Sequence, residues 1–118
     1  DGVFWERGSG TNNVTVTNRG HVYVWPRVYW SGRGGAVTMP SGAQVVLPDA
    51  GSEERIFHFD PVESGLVSDR DGNPDRVLWE KVRRSYFAEA VPPGQERTYT
   101  MFSGARLEYD IGFSTPWR

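Results

Sequence analysis

The sequence contains no cysteine, and this absence excludes several kinds of protein at once. Without thiols the chain has no disulfide scaffold, no thiolate zinc site, no iron–sulfur cluster and no cysteine nucleophile. The sequence also lacks any apolar run near the ~20 residues that a membrane-spanning helix needs. We therefore expect no membrane partner.

An excess of charge of one sign is missing as well. Thirteen Lys and Arg residues stand against fifteen Asp and Glu residues, so the formal net charge is −2. Such a balance is not the basic footprint of a nucleic-acid-binding domain, and we expect no nucleic-acid partner. Residues 1–7 carry neither a signal-peptide pattern nor an initiator methionine. We therefore expect the chain to be a piece of a longer protein.

Aromatic and turn-forming residues, in contrast, are abundant. Aromatics make up 14% of the 118 residues, and 14 glycines and 8 prolines are spread along the chain. This composition is typical of short strands joined by turns. The length fits one domain, residues 1–118, which would bury roughly two-thirds of its extended surface.

Alternation of polar and apolar residues predicts about eight short, evenly spaced strands. The clearest of them cover 13–18, 21–30, 36–39, 43–47, 55–59, 97–102 and 106–113. Pro26 lies inside the second run, which predicts an edge strand or a bulged strand. The last two runs predict a terminal hairpin. This spacing favours an all-β fold, an antiparallel β-sandwich of jelly-roll type.

One short helix is predicted after a polar loop. Asp75 can cap its N-terminus, and the apolar residues that follow form a stripe at helical spacing. The stripe consists of Leu78, Trp79, Val82 and Tyr86. We assign Trp79 and Tyr86 to packing of this helix on the sandwich.

The loop before the helix has carboxylates at alternate positions, as a calcium-binding loop does. The candidate ligands are Asp69, Asp71, Asn73 and Glu80, which would take positions one, three, five and twelve of such a loop. Pro74, however, stands where the sixth-position glycine is needed, and Arg70 adds a positive charge. A polar turn that caps the helix is the favoured interpretation, so we expect no metal and no cofactor.

The sequence offers little support for catalysis. It has two histidines, His21 and His58, and no Gly-x-Ser-x-Gly motif or phosphate-binding Walker loop. A surface or rim position is the favoured interpretation for His58. Fifteen acidic residues always permit some pair of carboxylates, so a glycosidase pair cannot be recognised from sequence. We expect a protein that is not an enzyme.

The strand around Pro26 supplies the candidate binding residues. Val22, Val24, Val28 and Trp30 already account for one apolar face, which leaves Tyr23, Trp25, Arg27 and Tyr29 on the other. Three aromatics on a solvent-facing side favour a protein–protein interface. Two alternatives remain: a platform on which sugar rings stack, and packing against the core or a neighbouring element after a bulge.

Several motifs follow one another in an order that we compare with a known family. Near the start, Val16-Thr17-Asn18-Arg19-Gly20 precedes Trp25-Pro26-Arg27-Val28. Near the end, Tyr86-Phe87 leads to Val91-Pro92-Pro93-Gly94, and the chain closes with Phe113-Ser114-Thr115-Pro116-Trp117. From about residue 14 to residue 117, the chain resembles the C-terminal domain of siphophage minor tail proteins, related to distal tail proteins, particularly of phages that infect actinobacteria. It departs from that family at residues 66–71, where an Ile-Asp-Thr-Asp-Pro-like segment is common.

The resemblance implies a galectin-like β-sandwich in the tail tip or baseplate. It implies a non-enzymatic domain of the virion, made in the cytoplasm of the bacterial host. The expected partners are other phage tail proteins, further copies of the chain, and a glycan of the host cell wall. The alternative hypothesis is a carbohydrate-binding module that uses exposed aromatics, and a hydrolase is the third. We also expect Trp117 to fix the C-terminus in a hydrophobic slot.

Overall fold

The computed structural model describes residues 2–114 as two antiparallel sheets and one short helix. The strands are β1 Val3–Thr11, β2 Asn13–Thr17, β3 Arg27–Gly32, β4 Gly35–Thr38, β5 Gln44–Leu47, β6 Gly51–His58, β7 Val67–Ser68, β8 Glu96–Thr100 and β9 Arg106–Ser114. A 3₁₀ turn covers Pro61–Glu63, and helix α1 covers Arg76–Arg83. Trp117, with the role expected for it, lies outside the described residues.

The large sheet has the strand order β1-β9-β3-β6-β7, and the small sheet has the order β2-β8-β4-β5. All strand pairs are antiparallel, and buried side chains of both sheets meet in one hydrophobic cluster. The predicted all-β antiparallel architecture with one short helix is therefore confirmed. The jelly-roll type stays a prediction.

The core follows from the period-two alternation of the strands, which sends every second side chain inward. Its largest fully buried members are Trp30, Tyr99, Phe57, Phe59, Met39, Leu47 and Leu107. The polar atoms of the two largest have partners, because the Trp30 indole N–H donates to the Pro48 carbonyl at 2.9 Å and the Tyr99 hydroxyl donates to the Glu89 carbonyl. Burying these groups therefore leaves no hydrogen bond unmade.

The prediction of an edge or bulged strand at Pro26 is wrong. The strand begins only at Arg27, and β3 lies inside the large sheet between β9 and β6. Pro26 lies just before β3, so its lack of an N–H removes no hydrogen bond between strands. The Pro26 carbonyl accepts a hydrogen bond from the Phe59 N–H at 3.2 Å. The register shift in β3 occurs between Trp30 and Gly32 instead.

The predicted terminal hairpin is also wrong, because β8 and β9 belong to different sheets. Strand β8 pairs with β2 and β4, whereas β9 pairs with β1 and β3. Met101 and Ala105 are buried in the core as the chain crosses from one sheet to the other. The segment between β8 and β9 therefore crosses from one sheet to the other and buries Met101 and Ala105, which a surface turn would leave exposed.

The helix forms as its sequence predicts. The Asp75 carboxylate accepts the Leu78 N–H at 3.1 Å, which satisfies one of the unpaired donors of the first turn. Leu78 and Val82 are buried, while Trp79 and Tyr86 pack partly against the core. The helix thus covers part of the sandwich with Leu78, Trp79 and Val82, whereas Tyr86, the fourth residue of the predicted stripe, lies after the helix ends at Arg83.

Candidate functional site

The four predicted binding residues do not share one open surface. Tyr23 is 59% exposed, whereas Trp25 is half-buried and packs against the core. Arg27 and Tyr29 lie on the outer face of the large sheet, opposite the buried Val28. The Arg106 guanidinium lies over the Tyr29 ring, 4.3 Å from its centroid. Tyr23 is therefore the one ring of the three that is largely open to a ligand.

The outer face instead carries a row of paired charges. The pairing register of β3 and β9 sets Arg27 directly opposite Glu108 and Tyr29 directly opposite Arg106. Because directly opposed residues in an antiparallel pair share a face, these four side chains meet above the sheet. Asp110, two residues after Glu108, extends the row along the same face.

Arg27 pairs with both carboxylates of this row, Glu108 and Asp110. Its Nε donates to the Tyr29 hydroxyl at 3.0 Å, and its two terminal nitrogens donate to Asp110 at 2.9 Å and to Glu108 at 3.4 Å. Burial alone would lower the pKa of Arg27, but the hydrogen bonds to Tyr29 and Asp110 and the charge of Asp110 outweigh it and raise the pKa. Arg27 is therefore a permanently charged and fixed donor.

Arg106 pairs with Glu108 from the other side and with Glu54 on β6. Its Nε donates to Glu108 at 2.8 Å and its Nη1 donates to Glu54 on β6 at 3.0 Å. Burial alone would lower the pKa of Arg106, but its hydrogen bonds to Glu108 and Glu54 outweigh that effect and raise the pKa. Glu108 thus lies between two guanidiniums with its side chain only 12% exposed.

An open cavity of about 880 Å³ adjoins this row of charges. Its walls come from the end of β3, the start of β6, the loop before α1 and the start of β9, and include Ser31, Ser52, Glu54, Arg70, Asp71 and Arg106. Polar atoms provide most of this surface. Sequence reasoning found the loop but missed the cavity, because its walls come from segments far apart in the chain.

The candidate calcium ligands do not assemble a cation site in residues 2–114. The Asp69 carboxylate accepts the N–H groups of Asp71 and Asn73, each at 2.9 Å, and the bond from Asn73 is the main reason that the pKa of Asp69 is lowered. Glu80 lies on α1 and pairs with Arg83 at 3.6 Å. In this part of the chain no three His, Asp or Glu side chains are placed to hold a metal ion. The loop is a turn stabilised by its own carboxylate.

Two Ser–His contacts bear on the hydrolase hypothesis. His58 Nε2 lies 2.9 Å from the Ser68 hydroxyl, but Ser68 is only 1% exposed, and burial lowers the pKa of His58. His21 Nδ1 accepts the Ser114 N–H at 2.8 Å and also contacts the Ser114 hydroxyl at 3.0 Å. The first hydroxyl is hidden from a substrate, and in the second contact the imidazole nitrogen is already shared with an N–H donor. Neither contact has the geometry of an activated nucleophile.

Three exposed apolar residues lie at the start of β1, a strand that sequence reasoning did not predict, with the Phe4 and Trp5 side chains on opposite faces of the sheet. Val3, Phe4 and Trp5 are 47%, 53% and 58% exposed. The Phe4 ring stacks on Phe113 with centroids 5.0 Å apart, and the Trp5 ring covers Gly112 so closely that a Cβ there would lie 2.6 Å from it. We call Val3, Phe4 and Trp5 the β1 apolar end. In the sequence, the only indication of this feature is the run of three consecutive apolar residues Val3-Phe4-Trp5.

Comparison with known proteins adds no assignment to this geometry. No protein-family model, curated protein or solved structure matches the chain. In the described residues, no helix is long and apolar enough to cross a membrane. Two features stand out on the surface of residues 2–114: the β1 apolar end, and a charged outer face formed by Arg27, Tyr29, Arg106, Glu108 and Asp110.

Proposed function

We propose that the chain is a structural domain of a bacteriophage minor or distal tail protein. It contributes to assembly of the tail tip, or baseplate, of the virion and contacts neighbouring tail proteins or further copies of itself. The ordered motifs of the sequence support this assignment, and an antiparallel all-β fold agrees with it. The domain has no catalytic role and needs no cofactor.

The observation that carries the proposal is the β1 apolar end. Strand β1 is nine residues long and forms an edge of the large sheet, with no strand on its other side in residues 2–114. Natural proteins usually guard such an edge with charges. Here the first charged residues of β1 are Glu6 and Arg7, which pair with Arg19 at 2.7 Å and with Asp110 at 3.4 Å, so residues 3–5 at the start of the strand carry no charge. An exposed apolar edge of this kind is typical of a protein–protein contact.

The second candidate is a carbohydrate-binding module that stacks sugars on Tyr23, Trp25 and Tyr29. Stacking needs open ring faces, and here Trp25 packs against the core while Arg106 covers Tyr29. Tyr23 alone is a small platform. The arrangement of the rings therefore favours the assembly role over sugar stacking on this strand.

The test introduces Trp5→Glu into the full-length tail protein of the phage that encodes it. A charge at the centre of the contact should reduce the yield of infectious particles by about tenfold or more, as loss of an interface hot spot does. Val46→Glu is the matched control, because Val46 is 60% exposed on β5 of the other sheet. Equal thermal unfolding of the two isolated variants would show that both fold. Normal particle yield with Trp5→Glu would overturn the proposal.

A further inference from the structure

We propose that the solvent-facing side of helix α1 binds an acidic segment of another protein, one that carries an apolar side chain between carboxylates. This side consists of Arg76, Val77, Glu80, Lys81 and Arg84, and we call it the α1 basic face. It belongs to a different element from the β1 apolar end. The inference therefore does not rest on the assembly role.

The α1 basic face follows from the helical period. Leu78 and Val82 are buried against the core, so the opposite side of the helix faces solvent. Residues three and four positions apart lie on one side of a helix, which places residues 76, 80 and 84 beside residues 77 and 81. All five are exposed, and they line one open cavity of about 590 Å³ whose surface is mostly apolar. Residues 2–114 therefore leave this side of the helix open to a partner.

The cations of the α1 basic face are unpaired. Glu80 pairs with Arg83 at 3.6 Å, whereas the side chains of Arg76, Lys81 and Arg84 make no ion pair and no hydrogen bond within residues 2–114. In contrast, every arginine in the strands of the large sheet has a carboxylate partner. The formal net charge of the chain is −2, so the helix carries a local field opposite in sign to that of the whole chain. Charge complementarity therefore calls for a partner with carboxylates.

Val77 distinguishes a protein partner from other polyanions. It is 67% exposed and lies on the same face as the three cations. An apolar residue among cations is complementary to an apolar side chain flanked by carboxylates. A nucleic acid backbone offers phosphates without such a group, and its binding depends on many cations at once. An acidic protein segment therefore fits this face better than a nucleic acid does.

The probe is the fluorescein-labelled peptide Asp-Glu-Asp-Leu-Asp-Glu-Asp, titrated with the protein at ~0.15 M salt and followed by fluorescence anisotropy. We expect a dissociation constant of about 1 mM or tighter. Two matched peptides separate the contributions: Asn-Gln-Asn-Leu-Asn-Gln-Asn lacks the charges, and Asp-Glu-Asp-Ser-Asp-Glu-Asp lacks the apolar side chain. Each should bind about fivefold more weakly or worse. No binding of the first peptide, or equal binding of either matched peptide, would overturn the proposal.

Arg76→Glu locates the binding site, because a carboxylate at the N-terminus of a helix is favourable and should not unfold it. We expect Arg76→Glu and Arg84→Glu each to weaken binding by about fivefold. Arg33→Glu is the matched control, since Arg33 is an exposed, unpaired arginine in the loop before β4 and its substitution changes the net charge equally. Val77→Ser should remove the difference between the leucine and serine peptides. Equal binding by Arg76→Glu and Arg33→Glu, with thermal unfolding unchanged in both, would contradict the site.

A single-stranded DNA oligonucleotide with the same charge as the peptide tests the alternative partner. Tighter binding of the oligonucleotide than of the peptide would overturn the proposal, because Val77 would then have no role. Trp5→Glu, the variant that tests the assembly role, should bind the peptide as wild type does. The two proposals can therefore fail separately.

Discussion

At the residue scale, Glu108 lies on the outer face of the large sheet and is nevertheless buried. Alternation along β9 predicts that Glu108 faces away from the core, and it does, yet Arg27 and Arg106 cover it. A carboxylate so enclosed has lost most of its water and depends on its two partners. Removing it should therefore cost more than removing one partner of an exposed ion pair, because Arg27 and Arg106 would lose a carboxylate in a partly buried place.

Glu108→Gln should lower the free energy of unfolding by about 2 kcal/mol, because it leaves two guanidiniums without their shared carboxylate. Urea unfolding of the isolated domain measures this change. Glu80→Gln is the control, because its pair with Arg83 is exposed and should contribute less than about 0.5 kcal/mol. Equal effects of the two substitutions would contradict the enclosed position of Glu108.

Asp75 combines the helix cap with an ion pair to Arg55 at 2.9 Å. Burial alone would raise its pKa, but the hydrogen bonds from Arg55 and Leu78 outweigh burial and lower the pKa. A carboxyl group whose pKa is lowered by folding stabilises the fold above its unfolded pKa, and this stability disappears as the pH falls through the folded pKa. Asp75→Asn keeps a capping oxygen but removes the charge.

We therefore expect Asp75→Asn to be less stable than wild type at neutral pH, and the difference to shrink as the pH falls below ~4. Asp75→Ala should lose the cap as well and cost about 1 kcal/mol more. Unfolding curves at neutral and acidic pH measure both effects. A stability difference for Asp75→Asn that does not change with pH would exclude the assigned charge effect.

At the element scale, close approach between the strands of the small sheet depends on a glycine. A Cβ on Gly34, just before β4, would lie 1.9 Å from the Leu47 carbonyl oxygen at the end of β5. Backbone atoms cannot move aside as a flexible side chain can. The hairpin of β4 and β5 therefore requires a residue without a side chain at this point.

Gly34→Ala should lower the free energy of unfolding by about 2 kcal/mol, within the range for overpacked sites. Differential scanning calorimetry measures the accompanying fall in Tm. Gly2→Ala serves as the comparison, because a Cβ there meets no atom of residues 2–114 within 4 Å. A Gly34→Ala protein with the Tm of wild type would show that the strands approach less closely than described.

Elements with a clear local signal could be predicted from sequence, and elements defined by distant partners could not. The alternation at Asn13–Thr17 and the cap at Asp75 are local, and both were predicted correctly. Strand β1 contains Gly8 and Gly10 and lacks alternation, so it was missed. The placement of β8 and β9 in different sheets depends on non-local pairing. The candidate site joins Arg27 to Glu108 across 81 positions, a contact that no local pattern encodes.

At the scale of the whole molecule, two surfaces of different chemistry are separate. The β1 apolar end is suited to a protein neighbour, because its rings are exposed on an open sheet edge. The charged outer face differs in chemistry, because Arg27 and Arg106 on this face are held in ion pairs with Glu108, Asp110 and Glu54.

The most direct test of the central claim is quantitative mass spectrometry of purified tailed particles from the phage that encodes the chain. A structural tail domain must be present in the finished particle in a fixed ratio to the main tail protein. We expect peptides from the chain in every preparation, at a ratio that does not change with further purification. Complete absence of the chain from infectious particles would contradict the account.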